Sequence, residues 1–169
     1  MDYMKWGNVK TGITGHQKLP NGQVLKWLNA ELFDEHKRFK NIVCANSSLA
    51  IGADQLFAKT VLQMDIDLVA VIPCLHYENT FNGTSRDVYF EILSKCKLIQ
   101  TLDFAEPSEE AFFAAGKCVV DKSDVLFAVW DGDRAKGLGG TGDVVQYALS
   151  HQKTVIHLNP ISRKKIIYN

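Results

Sequence analysis

Four glycines crowd into six residues at Gly137-Leu138-Gly139-Gly140-Thr141-Gly142. The apolar run Val125-Leu126-Phe127-Ala128-Val129 precedes them, followed by Trp130-Asp131-Gly132-Asp133-Arg134-Ala135-Lys136, and an apolar-periodic segment begins at Asp143. A buried strand, a glycine-dense loop and a helix start form a geometry that holds phosphate. Glycine lets the backbone approach an anion closely and tolerates positive φ. The free N–H groups and the dipole of a helix N-terminus attract negative charge. Two more glycine-bearing loops follow apolar runs: Gly12-Ile13-Thr14-Gly15-His16-Gln17 and Ser47-Ser48-Leu49-Ala50-Ile51-Gly52-Ala53-Asp54.

These loops supply the candidate ligand contacts Gly12, Thr14, Gly15, His16, Gly52, Asp54, Asp131, Gly139, Gly140, Thr141 and Gly142, with Arg86 at a later helix start. Thr14 and Thr141 carry hydroxyls suited to phosphate or ribose, although turn capping uses the same group. His16 can bond a phosphate or move a proton. Arg86 can pair with phosphate, with Asp87 and Glu91 as ordinary surface partners. Asp54 reads first as a helix cap. Asp131 and Asp133 flank Gly132 as turn formers, with a ribose or base contact as the alternative. Trp130 and Tyr77 are candidates to stack on a base.

Strand and helix signals alternate along the chain. Strands are expected at Val9–Thr14, Asn41–Ala45, Asp67–Ile72, Lys97–Leu102, Asp124–Trp130 and Thr154–Leu158. Helices are expected at Asn21–Phe39, from Asp54 to Met64, from Thr84 or Ser85 to Lys95, from Ser108 to Lys122, and at Asp143–His151. Ser162-Arg163-Lys164-Lys165 either extends the last strand or lies on the surface. Strands apolar at every position are covered on both faces. The expected fold is therefore α/β: a three-layer, doubly wound, Rossmann-like, mostly parallel sheet of about six strands with helices on both faces, in one domain over residues 1–169. Cys74–Thr84 reads as a lid or rim loop.

With 169 residues, 46% hydrophobic and 22% charged, the chain has an ordinary globular composition. No apolar run is long enough to span a membrane, and Met1–Trp6 lacks a signal-peptide layout, so a cytoplasmic protein is expected. Lys plus Arg equals Asp plus Glu, at 19 each. A protein that grips nucleic acid usually carries a basic excess, so nucleic acid is expected to be an unlikely partner. Cys44, Cys74, Cys96 and Cys118 form no CxxC pair and read as reduced core thiols. No metal site stands out; magnesium would arrive only with a polyphosphate.

At these motifs the chain resembles the SLOG superfamily, the Smf/DprA–LOG group of Rossmann-like proteins. Gly12-Ile13-Thr14-Gly15-His16 resembles its "TGHR" start, with Gln17 where Arg is common. Gly52-Ala53-Asp54 is similar to its second-strand loop. Asp121 to Gly132 leading into Gly139-Gly140-Thr141-Gly142-Asp143-Val144-Val145 resembles its "DG…GGTadvv" pattern. The resemblance implies binding of a nucleotide or nucleotide derivative, often by a dimer. Against the "PGGxGTxxE" of LOG-type phosphoribohydrolases, Leu138 replaces Pro, Asp143 replaces Thr and Gln146 replaces Glu, while Ala115 and Gly116 fall where the Arg-Lys pair stands. In a weaker likeness to nucleoside deoxyribosyltransferases the acid would fall at Val144.

Two functions follow. The first is a cytoplasmic sensor or carrier of a nucleotide-like ligand, working as a homodimer or higher homo-oligomer. The alternative is a nucleotide N-glycosidase (phosphoribohydrolase), whose candidate catalytic residues are Asp143, Asp131 and Arg86.

Overall fold

Val125–Val129 is apolar at every position, and all five residues are buried. In the computed structural model, which describes residues 7–134 and 137–169, this segment is the fifth of seven strands in one sheet. The strands are β1 (Asn8–Gly15), β2 (Asn41–Ser47), β3 (Leu68–Ile72), β4 (Leu98–Thr101), β5 (Val125–Val129), β6 (Thr154–Asn159) and β7 (Lys164–Tyr168). The helices are α1 (Gln23–Lys37), α2 (Ala53–Gln63), α3 (Thr84–Leu93), α4 (Glu109–Asp121) and α5 (Thr141–Ser150). Met1–Trp6, and Ala135 and Lys136 of the glycine-rich run, lie outside the described residues.

The strand order is β4-β3-β2-β1-β5-β6-β7, and only the β6–β7 pair is antiparallel. The three-layer, Rossmann-like expectation holds, with one strand more than the six expected: the basic tail pairs along β6 through Lys164–Tyr168. Leu28 and Leu32 of α1, Phe57 and Val61 of α2, and Tyr89 and Ile92 of α3 fill the core on one face. Val119 of α4 and Val144, Val145 and Ala148 of α5 fill the other. The order of strands reverses beside β1. Its β2 edge is reached through α1, and its β5 edge only after the chain has crossed the sheet. Loops at the carboxyl ends of β1 and β5 therefore diverge onto opposite faces, which leaves a crevice between them.

Helix starts differ from the expectation. Ser108 caps α4 as expected, its hydroxyl accepting from the Ala111 amide. The other four helices begin at Gly22, Gly52, Gly83 and Gly140, none with a side-chain cap bond. Asp54 is not the cap of α2, and neither Thr84 nor Ser85 is the cap of α3. Helix α5 starts at Thr141, so Thr141 and Gly142 belong to its first turn rather than to the loop.

Charge is buried under α1. Glu35 is fully buried and pairs with Lys165 of β7 at 2.5 Å; Lys165 also reaches Glu31 at 2.8 Å. Next to it His36 stacks on Phe127, with ring centroids 4.6 Å apart and planes 7° apart. Its Nδ1 lies 2.6 Å from the Leu32 carbonyl and its Nε2 3.3 Å from the Thr11 hydroxyl. A neutral ring satisfies both contacts, donating from Nδ1 and accepting at Nε2. Burial pushes the His36 pKa down to about 4. The unfolded chain takes up this proton near pH 6.5 and the folded chain only near 4, so the stability that the neutral ring provides is complete above 6.5 and is lost as pH falls toward 4. The loss amounts to about 3 kcal/mol. A His36→Gln variant escapes it. Urea denaturation at pH 7.5 and pH 4 should show the wild type losing about 3 kcal/mol more than the variant; an equal loss in both would refute the assignment.

Candidate functional site

A crevice of about 1000 Å³ opens at the carboxyl ends of the strands. Its walls come from the end of β1 and the loop after it (Ile13 to Lys18), the β2–α2 loop and Asp54 at the start of α2, the segment after β3, the first turns of α4, and the β5–α5 loop. The three glycine-bearing loops therefore converge. Thr14, Gly15, His16, Asp54, Asp131, Gly139, Gly140, Thr141 and Gly142 all line the crevice.

Three expected contacts do not. Gly12 lies inside β1, where a Cβ would strike the Ser123 hydroxyl and would come within 2.9 Å of Val119. This glycine lets α4 approach the sheet. Gly52 has φ +87°, and a Cβ there would run into the His16 and Gln17 carbonyls. It packs against the β1 loop and is outside the crevice lining. Arg86 is exposed on α3, its guanidinium 5.8 Å from the Phe90 ring centre, and is outside the crevice lining.

The crevice is anchored by side chains that hold its own backbone. The Asp131 carboxylate accepts from the Asp133 amide at 3.0 Å, the main cause that holds its pKa below the usual value. His16 Nε2 lies 3.2 Å from the Asp131 amide nitrogen and 3.1 Å from Asp131 Oδ2. One ring nitrogen serves one of these at a time: neutral, it accepts from the amide; protonated, it donates to the carboxylate. Trp130 donates from its indole to the Asp133 carbonyl at 2.7 Å and packs against His157. Both Trp130 and Tyr77 line the crevice, but Tyr77 is buried edge-on to Phe81. It sits in a 3-10 turn, Tyr77–Thr80, of the expected rim segment, which lines the crevice through Tyr77, Thr80 and Phe81 and is otherwise largely exposed.

Asp143 takes a structural place. Its carboxylate accepts from the Gly139 amide at 3.0 Å, and it faces a shallow groove beside Gln146 and Tyr147 rather than the crevice. Gly139 itself sits at φ +78°, with no room for a Cβ against Phe113. One amide of the glycine loop is thus engaged by the protein. The amides of Gly140, Thr141 and Gly142 have no partner among the described residues, as the first N–H groups of an uncapped helix do.

Sequence reasoning missed several crevice residues. Lys18 and Arg134 line it, both exposed and without an ion pair among the described residues. Lys18 stands three residues past Gly15 and Arg134 inside the glycine-rich run, so position alone signalled them. Phe112 and Glu109 arrive from the start of α4, and no local pattern announces that placement.

The chemical surprise is Asp54. It is 6% exposed, on the crevice wall in the first turn of α2. Its Oδ2 accepts from the Ser47 hydroxyl at 3.1 Å and the Ser48 amide at 3.0 Å, and Ser47 in turn accepts from the Leu49 amide. Desolvation outweighs these bonds and pushes its pKa up to about 7. Cys74 is buried and the other three thiols half-buried, all unpaired. No group of three or more His, Cys, Asp or Glu among the described residues is placed to hold a metal ion. No helix among them is long and apolar enough to cross a membrane.

No protein-family model and no curated protein matches the chain. Solved structures do. DNA processing protein A (DprA) from Helicobacter pylori, described for its single-stranded DNA binding mode, aligns at 20% identity with a TM-score of 0.66 over 89% of this chain and 65% of that one. DprA from Streptococcus pneumoniae aligns at 16% identity and 0.63, over 94% of this chain and 52% of its own. The Moco carrier protein of Chlamydomonas rheinhardtii aligns at 14% and 0.50, over 89% and 76%. This chain thus spans under two thirds of either DprA protein.

These likenesses overturn one expectation. A balanced total charge is no ground for setting nucleic acid aside, because a protein built on this fold binds single-stranded DNA. Net charge sums the whole surface, whereas a strand is held by the few cations and amides that face it. The strand order, the crevice at the β1/β5 reversal and these superpositions agree: the chain has a Rossmann-like fold, shared with the matched part of the DprA structures.

Proposed function

We propose that the crevice binds a nucleotide or nucleotide derivative, with its phosphate at the start of α5, and that the protein serves as a sensor or carrier. The observation that carries this reading is the uncapped α5 N-terminus, whose Gly140, Thr141 and Gly142 amides have no partner among the described residues. Lys18 and Arg134, exposed and facing the same space, add positive charge. Ile51, Phe81, Phe112 and Leu138 give an apolar surface for a base. The volume suits a molecule of this size. Any magnesium would come with a polyphosphate ligand. A solved structure with the same fold is named as a carrier.

A second reading uses the same anion site: one phosphate of a single strand of DNA seated at α5, with neighbouring nucleotides running past Lys18 and Arg134. The H. pylori DprA likeness favours testing it. The phosphoribohydrolase reading is weaker. Of its candidate catalytic residues, Asp143 holds the Gly139 amide and Arg86 stands outside the crevice, which leaves Asp131.

Thr141→Asp separates folding from binding. A carboxylate in the first turn suits the helix dipole but repels a bound anion. Calorimetry with nucleoside mono- and diphosphates, NAD and a short oligothymidylate should show binding to the wild type, and at least a tenfold loss in the variant with its melting temperature kept. Equal binding by both would remove α5 from the site. The strength of mononucleotide against oligonucleotide binding decides between the two readings.

Asp143→Ala frees the Gly139 amide and should cost about 1 kcal/mol of stability, as loss of a helix-start acceptor does. Urea denaturation measures it. An unchanged midpoint would mean that this bond contributes nothing to the loop.

A further inference from the structure

Asp54 is a carboxyl group on the wall of a crevice suited to an anion, a placement that electrostatics disfavours for a charged carboxylate. Hydrogen-bond donors and its place in the first turn of α2 favour its charge, but desolvation outweighs them. From β2 and the following loop it receives the Ser47 hydroxyl and the Ser48 amide, with the Ala50 backbone adding to these. From the segment after β3 it faces Tyr77, whose hydroxyl is buried and pushed far above its ordinary pKa, first by desolvation and then by Asp54 itself. Tyr89 and Cys74 add smaller contributions to that rise. From the β1 loop comes only a backbone contact, the Ala53 amide donating to the His16 carbonyl. None of the ion pairs among the described residues involves Asp54. The other titratable groups around the crevice are His16, Lys18, Glu109, Asp131, Asp133 and Arg134.

The hydrogen bonds also say where a proton would sit. Oδ2 accepts two of them, from Ser47 and Ser48. An oxygen that accepts two bonds keeps the carbonyl role in the neutral acid, so the proton goes to Oδ1.

We infer that Asp54 meets the ligand as a neutral acid, donating a hydrogen bond from Oδ1 to an acceptor on the part of the ligand away from its phosphate, so that ligand binding takes up a proton. This rests on the nucleotide-binding reading above. The chemistry recognised is an uncharged acceptor, such as a base carbonyl or ring nitrogen. A donor such as an exocyclic amine would want the ionised form. The group is available for this exchange because its pKa lies at about 7. Above that value the carboxylate must be protonated before the ligand binds, so the affinity falls with rising pH.

The experiment is calorimetry of the full chain with whichever probe of the nucleotide panel binds, at pH 6, 7 and 8. Two buffers of different ionisation enthalpy count the protons taken up. The wild type is compared with Asp54→Asn and His16→Gln. The Asp54→Asn protein cannot titrate at this site, and subtracting its proton count cancels ionisation of the phosphate itself. The expected result is a roughly tenfold weakening of wild-type binding from pH 6 to pH 8 beyond that of Asp54→Asn, with added proton uptake near neutrality. In His16→Gln, whatever its affinity, the pH dependence and the proton uptake should still exceed those of Asp54→Asn. Equal proton counts in wild type and Asp54→Asn, or affinity rising with pH, would overturn the inference while nucleotide binding stood. Loss of the effect in His16→Gln alone would move it to the His16–Asp131 pair and overturn it equally. If no nucleotide binds the wild type at any pH, the functional reading falls and this one with it. Should Asp54→Asn fail to fold, NMR of the Asp54 carboxyl carbon in the wild type, with and without nucleotide, decides instead. Its midpoint must rise on binding, and a midpoint unmoved or lowered refutes the inference.

Discussion

Everything at the crevice depends on β1 pairing in parallel with β2 on one edge and β5 on the other. A parallel neighbour can be reached only by a crossover, and a crossover has one favoured hand. Helices α1 to α3 therefore settle on one face, and α4 and α5 on the other. The chain leaves β1 and β5 toward opposite faces, so their loops part. Because all parallel strands end on the same edge, the helix N-termini gather there too. Glycine rather than Ser, Thr, Asp or Asn at the starts of α1, α2 and α5 leaves those ends without side-chain caps. The fold places donors at the rim, and the absence of caps keeps some of them available.

The alternation of strands and helices is legible in the sequence because the central strands are buried on both faces. Val125–Val129 and Leu68–Ile72 carry that in composition alone. The last strand is harder to read. Lys164–Tyr168 is an antiparallel edge strand, exposed or half-buried along its length, and its basic start resembles a surface tail. Its hold on the fold includes Lys165 bonded to Glu31 and Glu35 of α1, a contact between residues more than a hundred positions apart. Long-range pairing of this kind leaves no local pattern.

The site is legible as a set of loops and much less so as a set of side chains. Glycine explains both outcomes. Gly12 and Gly52 resemble ligand contacts because glycine near a strand end is common to phosphate loops and to tight packing. Only the neighbours distinguish the two uses: Ser123 and Val119 fill the space above Gly12, and carbonyls of the β1 loop fill that above Gly52. Arg86 belongs to the expected edge of the sheet, yet its side chain extends over Phe90. Asp54 resembles a cap because acidic residues favour the first turn of a helix. Burial, which sequence does not show at single residues, makes it a carboxyl poised to hold a proton.

The balance of charge in the crevice explains why main-chain donors must lead. Lys18 and Arg134 contribute two positive charges, both on exposed side chains where water weakens them. Asp131, Asp133 and Glu109 contribute three negative ones, and Asp54 a fourth whenever it ionises. Side-chain charge alone would repel a phosphate. In the proposed function, amides at the start of α5 would attract it without adding a counter-charge, already fixed in place by the helix. Asp131 is partly neutralised in effect by its bond to the Asp133 amide and its contact with His16. Asp54, with no cation to offset it, reduces the repulsion only by keeping its proton. The same desolvation that makes the buried carboxyl a reluctant anion therefore makes the crevice more hospitable to one.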